Sequence, residues 1–446
     1  MRCCIRAPRW VERTAILSAR RFALAMSLVL TGAAVGAHGQ EGPAWPPQDA
    51  PVAMPQGQPA AVAPAALIEA GRLLTGRGQE LHDTRILVKD GKIASIGRNL
   101  TAPGAVVYDL RDATVMPGLI DVHEHLVAHF GPGKRARSET PTQFALGVVN
   151  NLWVTLMAGF TTVQSVGEPQ DAVFRTYVQE GIIPGPRILT SYHDIVGSPQ
   201  VGNDDVLRAK IDSLKYEHAD LVKIFASSSV RSGLHDTLTL HQLQVLCGEA
   251  NRIGIRTLVH AYSGAVRNTV MAGCTEVEHG IYGTQADLDL MASKGTYFDP
   301  QVGLVLQNYM RFYDETFGKS DRKAADIAQM TALLKSNEHL FQQALRTRGL
   351  KIVMGTDAVA GAFGHQADEI IARIKLGQPA MDAIDDATSV NAESLRLGGQ
   401  IGSIARGYEA DIIAVHGNPL ADPASLRDVS FVMKGGTVYK DALASP

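Results

Sequence analysis

The sequence predicts an α/β fold, a TIM-like (β/α)8 barrel inserted into a small β-sandwich built from both chain ends. Three observations lead there. Between about residues 116 and 399, short apolar runs alternate with longer segments of helical texture, and eight such runs can be counted. The flanking stretches, 65–115 and 400–446, consist instead of short alternating runs broken by turns. Residues capable of chemistry recur at the carboxyl ends of the apolar runs, where barrel enzymes carry theirs.

At 446 residues, 45% hydrophobic and 20% charged, the chain can bury a large core. Residues 1–39 read as a signal peptide: six arginines from Arg2 to Arg21 precede an apolar stretch at 22–37, and the small residues Ala37 and Gly39 follow. That stretch is short for a membrane span. The mature protein is therefore expected to be periplasmic or secreted, without stable membrane association. The leader carries six Arg against Glu12, so its removal takes the net charge from −3 to −8. A chain that acidic is not expected to bind nucleic acid. Cys3 and Cys4 leave with the leader. Cys247 and Cys274 remain and are expected as buried free thiols, although a disulfide would suit an oxidising compartment.

Residues 40–64 are rich in Pro, Ala and Gln and read as a flexible linker. The β texture starts at Ala66–Ala70 and continues through Thr84–Val88, Ile93–Ile96 and Val106–Leu110, with Asp90-Gly91 as a hairpin turn. It returns at Ala410–Val415 and Phe431–Val438, so both ends are assigned to one β domain. The barrel strands are expected at Met116–Val122, Thr161–Gln164, Arg187–Leu189, Leu221–Phe225, Thr257–His260, Glu276–His279, Tyr297–Pro300 and Ile352–Asp357. Helices are expected at Pro141–Ala158, Asp204–His218 and Thr239–Ile253, the last opening with a Thr239-Leu240-His241-Gln242 capping box. A doubly wound open sheet is the alternative, but no Gly-rich nucleotide fingerprint favours it.

Val122-His123-Glu124-His125 ends the first barrel strand. Side chains on a strand alternate, so His123 and His125 project to one side and Glu124, read as structural, to the other. Lys223 stands inside the apolar fourth strand; His260, His279 and Asp357 end the fifth, sixth and eighth. Taken singly, each histidine reads as a satisfied core residue and Asp357 as a helix cap. Together they read as a metal site at one barrel mouth. A lone lysine in an apolar strand is costly to bury charged, and an ammonium cannot ligate a cation. Burial favours the neutral amine, which can take up CO2 to form a carbamate able to bridge two metals. The alternative is a structural ion pair with Glu124 or Asp357.

These motifs resemble the amidohydrolase superfamily, in its binuclear branch with a carboxylated lysine. Val122-His123-Glu124-His125, Val222-Lys223-Ile224, Val259-His260-Ala261-Tyr262, Val277-Glu278-His279-Gly280 and Met354-Gly355-Thr356-Asp357-Ala358 carry the likeness, with Gly402–Asp411 leading into the last β strands. The chain is most similar to imidazolonepropionase-like and Xaa-Pro dipeptidase-like members, including those that act on ochratoxin-type aryl-acyl amino acids. Imidazolonepropionase itself lacks the bridging lysine, so Lys223 argues against that activity.

The resemblance implies two divalent ions, Zn²⁺ being the expected metal. His123, His125 and Asp357 would hold one, His260 and His279 the other, and the Lys223 carbamate would bridge them. It further implies attack by a shared hydroxide on the amide of a dipeptide or N-acyl amino acid, with Asp357 as proton shuttle, and a homo-oligomer as the working form. Tyr262 is a candidate to contact the substrate carbonyl or carboxylate. His193, Arg231 and His235 are candidates to clamp a carboxylate, and Gln307–Tyr313 reads as a helix packed on the barrel or, alternatively, an aromatic wall or lid. A hydrolase of cyclic amides, lactones or organophosphates, or a non-catalytic metal- or solute-binding protein, are the alternatives.

Overall fold

The computed structural model describes residues 65–131, 139–197, 201–229 and 232–443. The signal peptide and the linker lie outside the described residues. No helix among the described residues is long and apolar enough to cross a membrane.

The β textures at the two chain ends pair as expected, but in a single seven-stranded sheet. Its order is Thr437–Asp441, Val429–Lys434, Ile412–His416, Val106–Pro117, Ala66–Leu74, Glu80–Lys89 and Lys92–Gly97. Only Ala66–Leu74 and Val106–Pro117 run parallel; every other pair is antiparallel. Ile68, Val88, Ile93, Val115, Ile412 and Phe431 form the core of this sheet.

The apolar run expected as one strand from Met116 to Val122 is divided at Gly118. Val106–Pro117 ends in the outer sheet and Leu119–Glu124 begins a parallel one. The Gly118 amide donates to the Asp411 carbonyl, and a Cβ at Gly118 would collide with the Thr161 side chain. Only glycine lets the chain change sheets there.

The inner strands are all parallel, as their alternation with helices predicts. One sheet has Leu119–Glu124, Phe160–Ser165 and Arg187–Thr190; the other has Asp194–Val196, Leu221–Phe225, Arg256–Ala261, Glu276–His279, Tyr297–Asp299 and Lys351–Ile352. Hydrogen bonds cross both gaps between these sheets. Asp220 N–H reaches the Thr190 carbonyl at 2.9 Å, and Val122 N–H reaches the Met354 carbonyl at 3.2 Å. Val222, Ile224, Val259 and Val277 face the helix layer, while Val166, Leu221 and Leu258 form a small cluster on the other face.

The eighth expected strand, Ile352–Asp357, pairs as a strand only at Lys351–Ile352. Beyond it, side chains take the backbone donors. Met354 N–H goes to Asn391 Oδ1 (2.8 Å), Gly355 N–H to Asp299 Oδ1 (2.9 Å) and Thr356 N–H to Asp121 Oδ1 (3.0 Å). Buried Asn391, Asp299 and Asp121 side chains thus share this segment's donors with the carbonyls of Phe298 and His123, which Val353, Thr356 and Asp357 still reach.

Helices Pro141–Met157, Asp204–Tyr216 and Leu240–Ile253 fall where expected, and Thr239 and Gln242 form the capping box. Val305–Arg311 and Tyr313–Phe317 are helical, so the aromatic stretch at 307–313 belongs to two short helices that kink at Phe312.

Cys247 and Cys274 are buried, as expected, but they are joined in a disulfide rather than free. Helix Leu240–Ile253 packs beside Gly264–Met271, and Asn251 Nδ2 holds the Gly273 carbonyl at 2.9 Å, which brings the two Cα atoms to 5.0 Å. The bond closes a loop of 27 residues, for which chain-entropy reasoning gives about 2–4 kcal/mol. Replacing both cysteines with serine is expected to lower the urea unfolding midpoint accordingly; an unchanged midpoint would show that the cross-link contributes nothing.

Candidate active site

The ends of the parallel strands bring His123, His125, Lys223, His260, His279 and Asp357 to one cavity of about 300 Å³. The two rings of the H-x-H motif lie 5.6 Å apart between centroids, on one side of their strand as alternation requires. Lys223 Nζ stands 3.1 Å from His123 Nε2.

His279 reaches the cavity against the pleat. Its strand pairs His260 with Glu278 and Ala261 with His279, so a regular strand would turn His279 toward the helices with Ala261. A φ of +61° swings it back, and its ring sits 4.6 Å from that of His260. Gln301 and Asp357 share the device, each with φ +50°, and both line the cavity. Left-handed backbone at a residue with a Cβ costs about 1–3 kcal/mol and concentrates where geometry matters more than stability.

His123, Lys223, His260 and His279 are all buried. Burial holds the three imidazoles well below their ordinary pKa, with the neighbouring Lys223 adding to the effect, so the rings are neutral. Burial also lowers Lys223, against the pull of Glu278 and Asp357. Asp357 Oδ1 lies 3.2 Å from His125 Nε2 and 3.5 Å from His123 Nε2. The donor atoms of His123, His125 and Asp357 all fall within 4.8 Å of one another. His260 Nε2 is buried without a hydrogen-bond partner, a state that costs about 1–3 kcal/mol in the protein alone. Neutral imidazoles, an orphaned ring nitrogen and a carboxylate form a donor set that fits divalent cations.

Tyr262 lines the same cavity, its ring 4.5 Å from that of His260, and burial pushes its phenol well above the ordinary value. His193 does not reach the cavity. Its ring is half exposed and faces Glu217 Oε2 at 3.4 Å. His235 is exposed and bonds to Ser228. Arg231 lies outside the described residues. Glu124 is buried away from the cavity, facing Gln366, as its place in the pleat predicts.

Sequence reasoning missed two sets of residues. One is the apolar wall of Phe225, Ile281, Val305, Leu306, Phe317 and Met330, completed by Tyr309. Most of it comes from the segment between the strands Tyr297–Asp299 and Lys351–Ile352; within it the sequence marks only 307–313, which holds Tyr309, as an aromatic wall or lid, and there as the alternative to a packed helix. The other is a buried polar layer of Glu278, Asp299 and Gln301 behind His123. Glu278 Oε2 is 2.5 Å from His123 Nδ1, and Gln301 Nε2 is 2.8 Å from Glu278 Oε2 and 2.7 Å from Asp299 Oδ2. The alternation Glu276-Val277-Glu278 was a usable signal, since it sets two carboxylates on the face opposite the helices.

The chain belongs to the amidohydrolase family, whose sequence pattern it matches over residues 114–440. It is therefore a hydrolase by descent, in a family that generally binds divalent metals. Over 429 residues it is 25% identical to ochratoxinase of Aspergillus niger, covering 84% of this chain and 86% of that protein. The solved structure of a Xaa-Pro dipeptidase with methionine bound in its active site superposes with a TM-score of 0.76 at 26% identity, over 84% of this chain and 100% of the other. The structure of A. niger ochratoxinase superposes with a TM-score of 0.71 at 22% identity, over 86% and 97%.

Gly355 packs between His123 Cβ and the Asp299 carboxylate. A Cβ there would run into the Asp299 carboxylate and lie 2.8 Å from His123 Cβ. Gly355→Ala is expected to cost about 1–3 kcal/mol in urea unfolding, because neither neighbour has free volume to move into. A midpoint equal to the parent's would show that the segment shifts freely.

Proposed function

We propose that this protein is a binuclear metal-dependent hydrolase of the amide bond in dipeptides or N-acyl amino acids, of the Xaa-Pro or aryl-acyl-Phe (ochratoxin) kind. The observation that carries the reading is the convergence of four histidines, Lys223 and Asp357 on one cavity whose far wall is apolar and aromatic. The similarity to ochratoxinase and to a Xaa-Pro dipeptidase supports the substrate class.

In this reading His123, His125 and Asp357 would hold one ion, His260 and His279 the other, and a carbamate on Lys223 would supply oxygen donors to both. Zn²⁺ is the favoured metal, because imidazole and carboxylate donors suit it. Bound there, the pair supplies Lewis acidity to the scissile carbonyl and acidifies the attacking water. Asp357 Oδ accepts the proton that this water sheds and delivers it to the amide nitrogen as the C–N bond breaks, so the leaving group departs as a neutral amine. Tyr262 donates its phenol hydrogen to the substrate carbonyl or carboxylate; burial keeps that hydrogen in place. The apolar wall receives the acyl or side-chain group and excludes water around it.

The larger assignments accompany this proposal: closure of the two parallel sheets into a (β/α)8 barrel at 116–399, a terminal β domain from 65–115 and 400–446, and a homo-oligomeric working form. Export to the periplasm or medium is supported by the Cys247–Cys274 disulfide, a bond that persists in oxidising compartments.

Elemental analysis of active protein, run beside a substrate panel, tests the function. About two metals per chain are expected, with Xaa-Pro and Xaa-Phe dipeptides and aryl-acyl amino acids turned over faster than lactones, cyclic amides or phosphotriesters. One metal in a fully active preparation, or turnover confined to lactones, overturns it.

Lys223→Ala tests the bridge. Without the carbamate two cations face each other with less negative charge between them, so at least one is expected to leave and hydrolysis to collapse. The circular dichroism should persist, and added formate or acetate should restore part of both metal content and rate. Full activity without the additive would falsify the bridging role.

A further inference from the structure

Building on the metal reading above, we propose that Glu278 is a positioning residue that fixes the tautomer of His123, so that Nε2 offers its lone pair to the metal while Nδ1 carries the hydrogen. His123 Nδ1 lies 2.5 Å from Glu278 Oε2, with both side chains buried. Its other nitrogen faces the cavity, toward Lys223 Nζ and Asp357 Oδ1. What decides the tautomer is a count of hydrogens. The Gln301 amide nitrogen carries two and stands within 2.8 Å of three acceptors: Glu278 Oε2, Asp299 Oδ2 and His123 Nδ1. Carboxylate oxygens take such hydrogens in preference to a neutral ring nitrogen, since charge assistance about doubles the bond. Both hydrogens are then used on the carboxylates. Burial and the neighbouring Asp299 push the Glu278 carboxyl up; with cations on the cavity side of the ring the ionised form is favoured, and His123 Nδ1 then donates to Glu278 Oε2 beside it.

The layer is itself anchored. Asp299 Oδ1 accepts from Gly355 N–H and from Arg373 Nη2, and Arg373, wholly buried, also reaches Glu369 (2.9 Å) and the Val353 carbonyl (2.7 Å). Asp299 thus holds Gln301, and Gln301 holds Glu278. The arrangement is expensive for folding alone. Glu278 is buried next to a second carboxylate, and its Oε1 has no partner. A buried carboxylate whose contacts are a ring nitrogen of His123 and the amide that orients it makes sense through that ring.

The consequence separates positioning from packing. In Glu278→Leu the acceptor disappears, Gln301 N–H turns to His123 Nδ1, and the hydrogen of the ring moves to Nε2, where it opposes metal binding. In Glu278→Gln an amide oxygen can still accept from Nδ1.

The experiment is zinc titration against a chromophoric chelator for the parent protein, Glu278→Leu and Glu278→Gln, with calorimetry of each metal-free form. The parent is expected to hold two ions. Glu278→Leu is expected to hold one of them about 10- to 100-fold more weakly, with a metal-free melting temperature no lower than the parent's, because an orphaned buried carboxylate has been removed. Glu278→Gln should recover most of the affinity. Parent-like affinity in Glu278→Leu overturns the proposal; so does an equal loss in both variants accompanied by a lower metal-free melting temperature, which is what a packing role produces. Should Glu278→Leu fail to fold, Gln301→Met removes the amide that orients Glu278 Oε2 and is expected to weaken the same ion; unchanged affinity there also overturns it. A parent protein that holds no zinc would instead overturn the metal reading, and this proposal with it.

Discussion

A lysine and three histidines buried around one cavity is the constraint that organises this molecule. Removing charged groups from water costs several kcal/mol each unless something compensates. Here compensation comes partly from neutrality, since burial keeps His123, His260 and His279 uncharged and lowers Lys223. The remainder is unpaid within the protein, as the partnerless Nε2 of His260 shows. Free energy stored this way is recovered when cations bind, so the fold and the proposed centre are thermodynamically linked.

That constraint explains why regular structure fails where it does. The strand ends at His279, Gln301 and Asp357 leave the extended region for left-handed backbone, and in the segment after Ile352 the side chains of Asn391, Asp299 and Asp121 accept from backbone N–H groups alongside the carbonyls of Phe298 and His123. At His279 the departure turns a ring toward the cavity that a straight strand would have sent to the helices.

The same departures mark the limit of what could be read from the sequence. Alternation sufficed for His123 and His125, which obey the pleat, and the apolar run Leu221–Phe225 made Lys223 stand out. The alternation of strand and helix, and the joining of the two chain ends, were legible because they depend on many residues at once. His279 was identified at a strand end for its residue type, yet its pairing with Ala261 would have sent it to the wrong face; only the positive φ corrects that, and no local pattern announces it. The change of sheet at Gly118 was hidden because the residues on both sides are equally apolar. Cys247 and Cys274 read as core residues and are core residues; their bond depends on how two helices sit side by side. His193 illustrates the opposite error, a chemically capable residue on a loop that points to Glu217 and solvent.

The buried layer behind His123 also ties the substrate wall to the ligands. Glu369 accepts the N–H groups of Val302, Gly303 and Leu304, at 2.8, 2.5 and 3.1 Å, immediately before the helix Val305–Arg311. A carboxylate in that position satisfies donors that have no partner within the helix and complements its dipole. The helix so anchored carries Val305, Leu306 and Tyr309 into the cavity. Glu369 is held in turn by Arg373, which holds Asp299, and the chain of bonds continues through Gln301 and Glu278 to His123. One buried helix, Ala367–Lys375, therefore sets both the wall that would meet the substrate and the orientation of a proposed ligand ring. A shift of the wall on substrate entry must be absorbed within this chain or passed along it, because every member is buried and none has room to rotate independently.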